Sequence, residues 1–598
     1  MLISKHTTMK ILHKLCIILA TLFATACNDN FLDINPVDRY SDAAVWNDES
    51  LINAYVNNIY LGQMWGFHTV MLSSLCDESM EVWSWESQPI LQSAINPSYQ
   101  GILAPNFWIM SFHNICWNNL YKNIRYCNSF FKNTKNPSIQ SNKINQLSGE
   151  VHYLRAYFYF WLMRQWGGVP LIEQVYTPND EMLVARNTFS ETVDYIVNDL
   201  DEAIKELPLN EDKTRATKGA AMALKARVLL YAASDLFNKT QNWAPEYKYP
   251  ELIGYTDNNQ RERWQKAKDA AKDVINLGVY HLVGENGHSN SQSATDNYIN
   301  MFLTQNTSED IMLIYYDYIN YGSDWQCPAV GKFNTPNGFH GWGGNTPTGQ
   351  FIDSFEMADG SRFDWNRSEC KNHPYENRDP RFYANILYDG AHWRKRPDDV
   401  IGREPLGNVQ TGYYQQANGS YNPGIDTRQG VDDWNGTYTG YYMRKFIDPS
   451  IDHQYNFQNF PFRESRYTEV LLNYAECCIE LGEDEEAKRY INMIRKRANM
   501  PNITENKEAL KERYRNERKI ELCYEQQRYF DIRRWMIAPQ VIQNVQGIDI
   551  RYPYGKSDPV YIVTENVQQR SWNNKSYLMP IYLDEINKNK LLIQNPGY

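Results

Sequence analysis

Residues 467–501, YTEVLLNYAECCIELGEDEEAKRYINMIRKRANMP, read as two helices joined by a tight turn. Ala475 is the small residue of the first helix, and Gly482 follows Leu481 as its stop signal. Ala487 and Ile491 fall at the packing positions of the second helix, and Pro501 closes the unit. Small residues at those places let two helices approach closely, so the stretch predicts a paired-helix building block.

The same logic extends outward in both directions. The unit resembles a tetratricopeptide repeat, a helix pair with a period of about 34 residues. A second, looser unit pairs 217–237 with 263–277, where Ala267 and Ala271 take the small-residue places. Helical spacing also marks 48–61 (Leu51, Ala54, Tyr55 and Ile59 on one face), 107–134 and 190–207. The helix around 149–166 carries apolar residues on two faces, Val151, Leu154, Phe158, Trp161 and Leu162 on one and Tyr153, Ala156, Tyr157 and Phe160 on the other, so it is expected to be buried nearly all round. Between 283 and 461 the composition shifts to Gly, Asn, Asp, Pro, Tyr and Trp, with few long periodic runs. Insertions break the repeat period. The expected fold is therefore mostly α: a tetratricopeptide-like helix-pair scaffold with a large loop-rich inserted subdomain. The expected boundaries are 1–26 for a leader, 27–47 for an anchor cysteine and tether, and 48–282 for an N-terminal helical scaffold carrying a loop at 75–89. Residues 283–461 are the loop-rich aromatic subdomain and 462–598 a C-terminal helical scaffold.

The N-terminus addresses the chain. Lys10, His13 and Lys14 precede an apolar run from 15 to 26, shorter than the roughly 20 residues a membrane span takes, and Met9 begins this pattern better than Met1. Ala24-Thr25-Ala26-Cys27 resembles a bacterial lipobox with alanine at the usual leucine position, which makes Cys27 the lipidated residue. An ordinary signal cut near Ala26 would leave Cys27 incidental, and on either reading the mature chain leaves the cytoplasm. A net charge of −11 argues against a nucleic-acid partner, which needs a basic face. Of ten cysteines, Cys16 lies in the leader and Cys27 is the anchor; the other eight are scattered without a CxxC pair and read as buried thiols. Aromatic residues make up 14% of the chain, which suggests stacking surfaces, although large cores alone would consume many of these rings.

The blocks GEVHYLRAYFYFWLMRQWGGVPLI (149–172), RATKGAAMALKARVLLYAA (215–233), ERKIELCYEQQRYFDIRRW (517–535) and YLMPIYLDEINKNKLLIQNPGY (577–598) resemble the SusD/RagB family of outer-membrane nutrient-binding lipoproteins of Bacteroidetes. FLDINPVDRYSDAAVW (31–46) and RYTEVLLNYAE (466–476) fit as well, so the resemblance runs from end to end. The chain has Glu525-Gln526 where the family usually has Glu-Gly, a change expected at a helix end. The FDIRRW charges are expected to pair with neighbouring helices. The resemblance implies four tetratricopeptide-like helix pairs, a surface-exposed outer-membrane location through a lipid anchor, and a SusC-like TonB-dependent transporter as partner. It also implies a glycan ligand, or in some members a peptide.

No HExxH, GxSxG or P-loop is present, and the histidines show no metal-ligand spacing, so neither an enzyme nor a metal centre is expected. Any pair among 71 acids can be made to look like a glycosidase dyad, so a surface glycan hydrolase remains an alternative without positive support. No cofactor is expected, and a structural calcium has no EF-hand pattern behind it. Sugars offer apolar C–H faces to aromatic rings and hydroxyls to short polar groups. LCDESMEVWSWESQP (75–89) alternates Trp83 and Trp85 with acids beside Asp77 and Glu78; NGFHGWGGNTPTG (337–349) sets Trp342 among glycines that cannot bury it. These residues, with Trp325 and Tyr315, are the candidate ligand contacts. For each ring, packing into a core is the competing reading.

Overall fold

The computed structural model describes residues 45–64, 66–83, 86–104, 110–135, 141–177, 179–209, 212–316 and 329–598. The leader, Cys27, Trp85 and Trp325 lie outside the described residues. Helix α1 (Glu49–Tyr60) starts where the Asp48 carboxylate accepts from the Ser50 and Leu51 amides. Next come α2 (Trp117–Asn133), α3 (Asn142–Trp166), α4 (Phe189–Glu206), α5 (Lys218–Ala233) and α6 (Gln260–Asn276). Helix α3 packs against α1, α2 and α4; α4 packs on α5, and α5 on α6. As its doubled apolar face predicts, α3 is buried from Tyr153 to Trp166 save Arg155. Ala267 and Ala271 are both 1% exposed, as close helix approach demands.

Two helices are shorter than their periodicity suggests. Cys116 is extended (φ −78, ψ 155), so α2 begins at Trp117 after a 3-10 turn. At Ser234 (φ −69, ψ 156) α5 stops, with the Ser234 hydroxyl donating to the Leu230 carbonyl (2.7 Å). Such a local side-chain bond competes with the helix ladder. The C-terminal scaffold consists of α8 (Tyr467–Leu481), α9 (Asp484–Arg497), α10 (Lys507–Glu521) and α11 (Arg528–Arg534). Gly482 ends α8 at φ +84, a left-handed turn that costs glycine nothing. Helix α8 packs on both α9 and α6, which joins the two halves of the scaffold.

A second apolar core underlies the segment that composition marks as loops. Helix α7 (Ser291–Phe302), capped by Asn290, buries Ala294, Tyr298, Met301 and Phe302 into it. Phe67, Phe351, Phe355 and Phe382 complete its centre. Strand β2 (Asp310–Ile314) pairs antiparallel with β6 (Phe462–Arg466). A four-stranded sheet in the order β8 (Val560–Gln568), β7 (Val545–Tyr552), β4 (Tyr413–Gln415), β5 (Tyr421–Pro423) closes the body.

Buried ions join this body to the helices. Arg466 bonds Glu309 (3.1 Å), Glu521 (3.0 Å) and Glu525 (2.7 Å). Arg497 bonds Glu309 (2.9 Å) and Glu521, and Arg381 bonds Asp379 (2.8 Å), Glu517 and Glu521. Lys445 closes on Glu525 at 2.7 Å. In the FDIRRW block, Asp531 takes both Arg518 and Arg534 (2.8 Å each), and Arg534 continues to Glu476, so its charges are architectural. Cys76, Cys116, Cys127, Cys370, Cys477, Cys478 and Cys523 are buried free thiols.

Burial alone would raise the Glu521 carboxyl, but Arg497, Arg466, Arg381 and Lys445 outweigh it and bring it down to about 2. Glu476, held by Arg534, falls to about 2 as well. A carboxyl depressed by folding stabilises above its unfolded value and loses that contribution as pH falls towards the folded one. Thermal unfolding should therefore show stability dropping from about pH 4.3 towards pH 2. Glu521→Gln should leave buried arginines uncompensated and cost about 3–5 kcal/mol at pH 7. A loss below 1 kcal/mol in denaturant titration would contradict this role.

Candidate ligand platform

Strand β1 (Ser79–Glu81) pairs antiparallel with β3 (Asn345–Pro347), placing Glu81 opposite Asn345. The two aromatic stretches singled out in the sequence thus meet, although more than 250 residues separate them in the chain. The ladder continues through the Val82 amide to the Gly344 carbonyl (2.9 Å), which sets Trp83 beside Trp342. Their rings stand edge to face, 6.2 Å apart at 82°. Both are half-buried.

Glycines flank Trp342, but a short helix eight residues upstream covers one side of its ring. The short helix Val330–Asn334 sets Phe333 against Trp342 (5.2 Å) and Lys332 Nζ over its ring (5.5 Å). The backbone of 342–344 runs along this helix: Trp342 N–H donates to Lys332, Gly343 to Thr335 and Gly344 to Phe333. A Cβ on Gly344 would sit 2.7 Å from the Phe333 carbonyl, so glycine is required by close approach. Behind Phe333 lies His68, stacked at 6.2 Å. Burial holds the His68 imidazole neutral, with its pKa lowered to about 3.

Asn345, 1% exposed, locks these pieces together. Its Oδ1 accepts from the Met71 amide (3.0 Å) and the Ser74 hydroxyl (2.8 Å). Its Nδ2 donates to the Thr69 carbonyl (3.0 Å) and to Asn334 Oδ1 (2.8 Å). A second anchor comes from Gln526, whose Oε1 accepts from Leu72 N–H (2.8 Å) and whose Nε2 donates to the Gly66 carbonyl (2.7 Å). Gln526 holds φ +64, a left-handed conformation that suits the glycine usual at this place in the family pattern. Its amide bonds hold the strained residue in place.

Asp77 and Glu78 directly precede β1. The Asp77 carboxylate is gripped by Arg528 through two bonds of 2.8 Å. Glu78 is 1% exposed, and burial together with the neighbouring Asp77 charge pushes its carboxyl up to about 8. Glu81, also buried and raised to about 7, accepts from the Ser87 amide (2.9 Å) and so ties down the far end of the loop. Tyr315 is 38% exposed with its hydroxyl donating to the Gln305 carbonyl (2.6 Å), and no contact joins it to Trp83 or Trp342 among the described residues. Sequence reasoning missed Lys332, Phe333, His68 and Asn345. It also missed Trp434, which is 53% exposed on a loop whose Asn435 carbonyl lies against Gly343. The only signal for Trp434 in the text was an aromatic between Asp and Asn in a turn-rich segment. Among the described residues no cluster of His, Cys, Asp and Glu could hold a metal ion.

A paired-helix scaffold displaying an aromatic platform on a loop-rich body defines the class. The sequence model described as "SusD family" matches residues 286–598, and one described as "Starch-binding associating with outer membrane" matches 30–230. The chain belongs to the SusD family. SusD-like protein P2 of Formosa agariphila is 22% identical over 611 residues, covering 98% of this chain and 99% of that protein. A SusD-like protein from Bacteroides fragilis superposes with a TM-score of 0.74 at 29% identity, covering 94% of this chain and 100% of its own. A SusD-like carbohydrate binding protein from the same species gives 0.68 at 24% identity, covering 92% and 100%.

Asn345→Ala strips acceptors and donors from buried partners and should cost about 1–3 kcal/mol in denaturant titration. Acrylamide quenching of tryptophan should rise in the same variant as the platform loosens. At Gln526, alanine keeps the strain and loses both bonds, whereas glycine loses only the bonds. Gln526→Ala should therefore melt below Gln526→Gly; the reverse order would refute the strain assignment.

Proposed function

We propose that the chain captures a polysaccharide or oligosaccharide on the Trp83–Trp342 platform without cleaving it. In this reading it is a lipid-anchored protein exposed at the outer-membrane surface, which hands its ligand to a SusC-like TonB-dependent transporter. The observation that carries the binding role is the β1–β3 pairing, which holds two half-buried tryptophans edge to face beside a lysine. Such rings stack on the C–H faces of sugars, and the ammonium supplies donors to hydroxyls. The carbohydrate binding attributed to the Bacteroides fragilis neighbour accords with it. Membership of the family supports the transporter and the anchor, and among the described residues no helix is long and apolar enough to cross a membrane.

Residues 28–598 run through native gels containing soluble polysaccharides should be retarded by at least one polymer with no new reducing ends. Trp342→Ala and Trp83→Ala should each weaken that binding about tenfold, by analogy with base stacking at about 1–3 kcal/mol per ring. Unchanged retardation in both variants would dismiss the platform, and release of reducing ends would dismiss the non-enzymatic role.

A further inference from the structure

The solvent side of the four-stranded sheet carries a second set of rings. Side chains alternate across a strand, so Tyr413 and Gln415 of β4 share one face and Tyr414 takes the other. Tyr414 stacks inward on Tyr552 (4.6 Å, 13°), whose hydroxyl donates to the buried Asp389 carboxylate (2.6 Å). On the outer face, Arg551 of β7 stands opposite Tyr413 in register. Its guanidinium lies 4.7 Å from the Tyr413 ring and 4.9 Å from that of Tyr421, which is 38% exposed. Nε and Nη2 of Arg551 donate to Asp549 (2.9 and 2.7 Å), while Nη1 has no acceptor among the described residues.

A second guanidinium stands nearby. Arg428 lies 3.8 Å over the ring of the exposed Tyr438 and pairs with no carboxylate among the described residues. The Tyr413 hydroxyl donates to the neighbouring Gln429 (2.8 Å), and both Arg428 and Arg551 are within electrostatic reach of that phenol. In a chain of net charge −11, this face brings two arginines together with Asp549 the one carboxylate paired to them among the described residues.

We propose that this face, with Tyr413, Tyr421, Tyr438, Arg428 and Arg551, is a second glycan platform that takes a sugar unit bearing a carboxylate or a sulfate ester. The rings supply stacking surface. The stacked guanidiniums offer planar forks of donors that match two oxygens of an anion at once. The idea rests on the glycan reading of the Trp83–Trp342 platform, and one loop links the two. Asn337 Nδ2 holds the Thr427 and Asp432 carbonyls (3.1 and 2.9 Å), the Asn435 carbonyl lies against Gly343 beside Trp342, and the same loop meets the sheet where Gln429 accepts from Tyr413.

The test is affinity electrophoresis of residues 28–598 with polygalacturonate, a sulfated galactan and a neutral β-glucan. At least one anionic polymer should retard the protein, with retardation falling as salt rises. Whichever of the two does so identifies carboxylate or sulfate as the recognised group. Arg428→Gln, which breaks no ion pair, and the Arg428→Gln/Arg551→Gln double variant should weaken anionic binding about tenfold or more. Neither change should alter any binding of the neutral polymer. Anionic binding that survives in the double variant, or no retardation by either anionic polymer, overturns the proposal. Trp342→Ala separates the two ideas. Full binding in that variant with loss in the arginine variants rejects the tryptophan platform alone, and the converse rejects the sheet face alone.

Discussion

Glu521 is completely buried, yet it stays ionised because Arg466, Arg497 and Arg381 converge on it from different parts of the chain. Desolvating so many charges is expensive, and the attraction between them offsets that cost only when the partners are in place together. The lattice is therefore a poor source of net stability and a strict specifier of geometry. Arg466 ends β6, Arg497 ends α9, Glu521 ends α10, and Arg381 and Glu309 come from the loop-rich body. If the helices and the body met at another angle, several of these ions would be stranded without partners. The mutual orientation of the two apolar cores follows from that constraint.

The platform depends on it at the next level. Beyond Glu521 the chain turns through Tyr524 and Gln526, both at positive φ, and Glu525 remains inside the lattice through Arg466 and Lys445. This fixes Gln526 where its amide can hold Gly66 and Leu72, and Arg528 where it can hold Asp77. The segment leading to β1 is thus anchored to the lattice before it pairs with β3. Asn345 then binds that segment to the helix under Trp342. Each level is bonded to the one beneath, so the rings stand at the end of a chain of buried polar contacts.

Local periodicity made the helix pairs legible: Ala475, Gly482, Ala267 and Ala271 do what their spacing implies. It failed at Cys116 and Ser234, where a break costs a few dihedrals and leaves no trace in apolar spacing. Helix α7 was hidden because its buried face, Ala294, Tyr298, Met301 and Phe302, is diluted by Ser, Asp and Asn on the exposed side. Composition marked the stretches around Trp83 and Trp342, since clustered aromatics among short polar residues are unusual. It could not mark their meeting. Pairing of Glu81 with Asn345 is a long-range choice, and Lys332 and Phe333 lie in text that local signals leave blank. Nothing near Asp77 in the chain marks it as paired, because its partner, Arg528, lies more than 400 residues away.

Rigid rings suit a repetitive ligand. Trp83 meets Trp342 edge to face and Phe333 packs tilted against Trp342, so under the proposed function these rings would lose little rotamer freedom when a sugar stacks on them. The contact area of one sugar is small, and so is the affinity it can bring. A polymer changes the arithmetic, because a unit held at one platform raises the effective concentration of the units attached to it at any second platform within reach. Modest sites joined by one loop can then hold a long chain firmly while each contact opens and closes quickly. That combination would suit the capture and release of the proposed function, since release then needs only sequential loss of weak contacts and no large movement of the buried lattice beneath them.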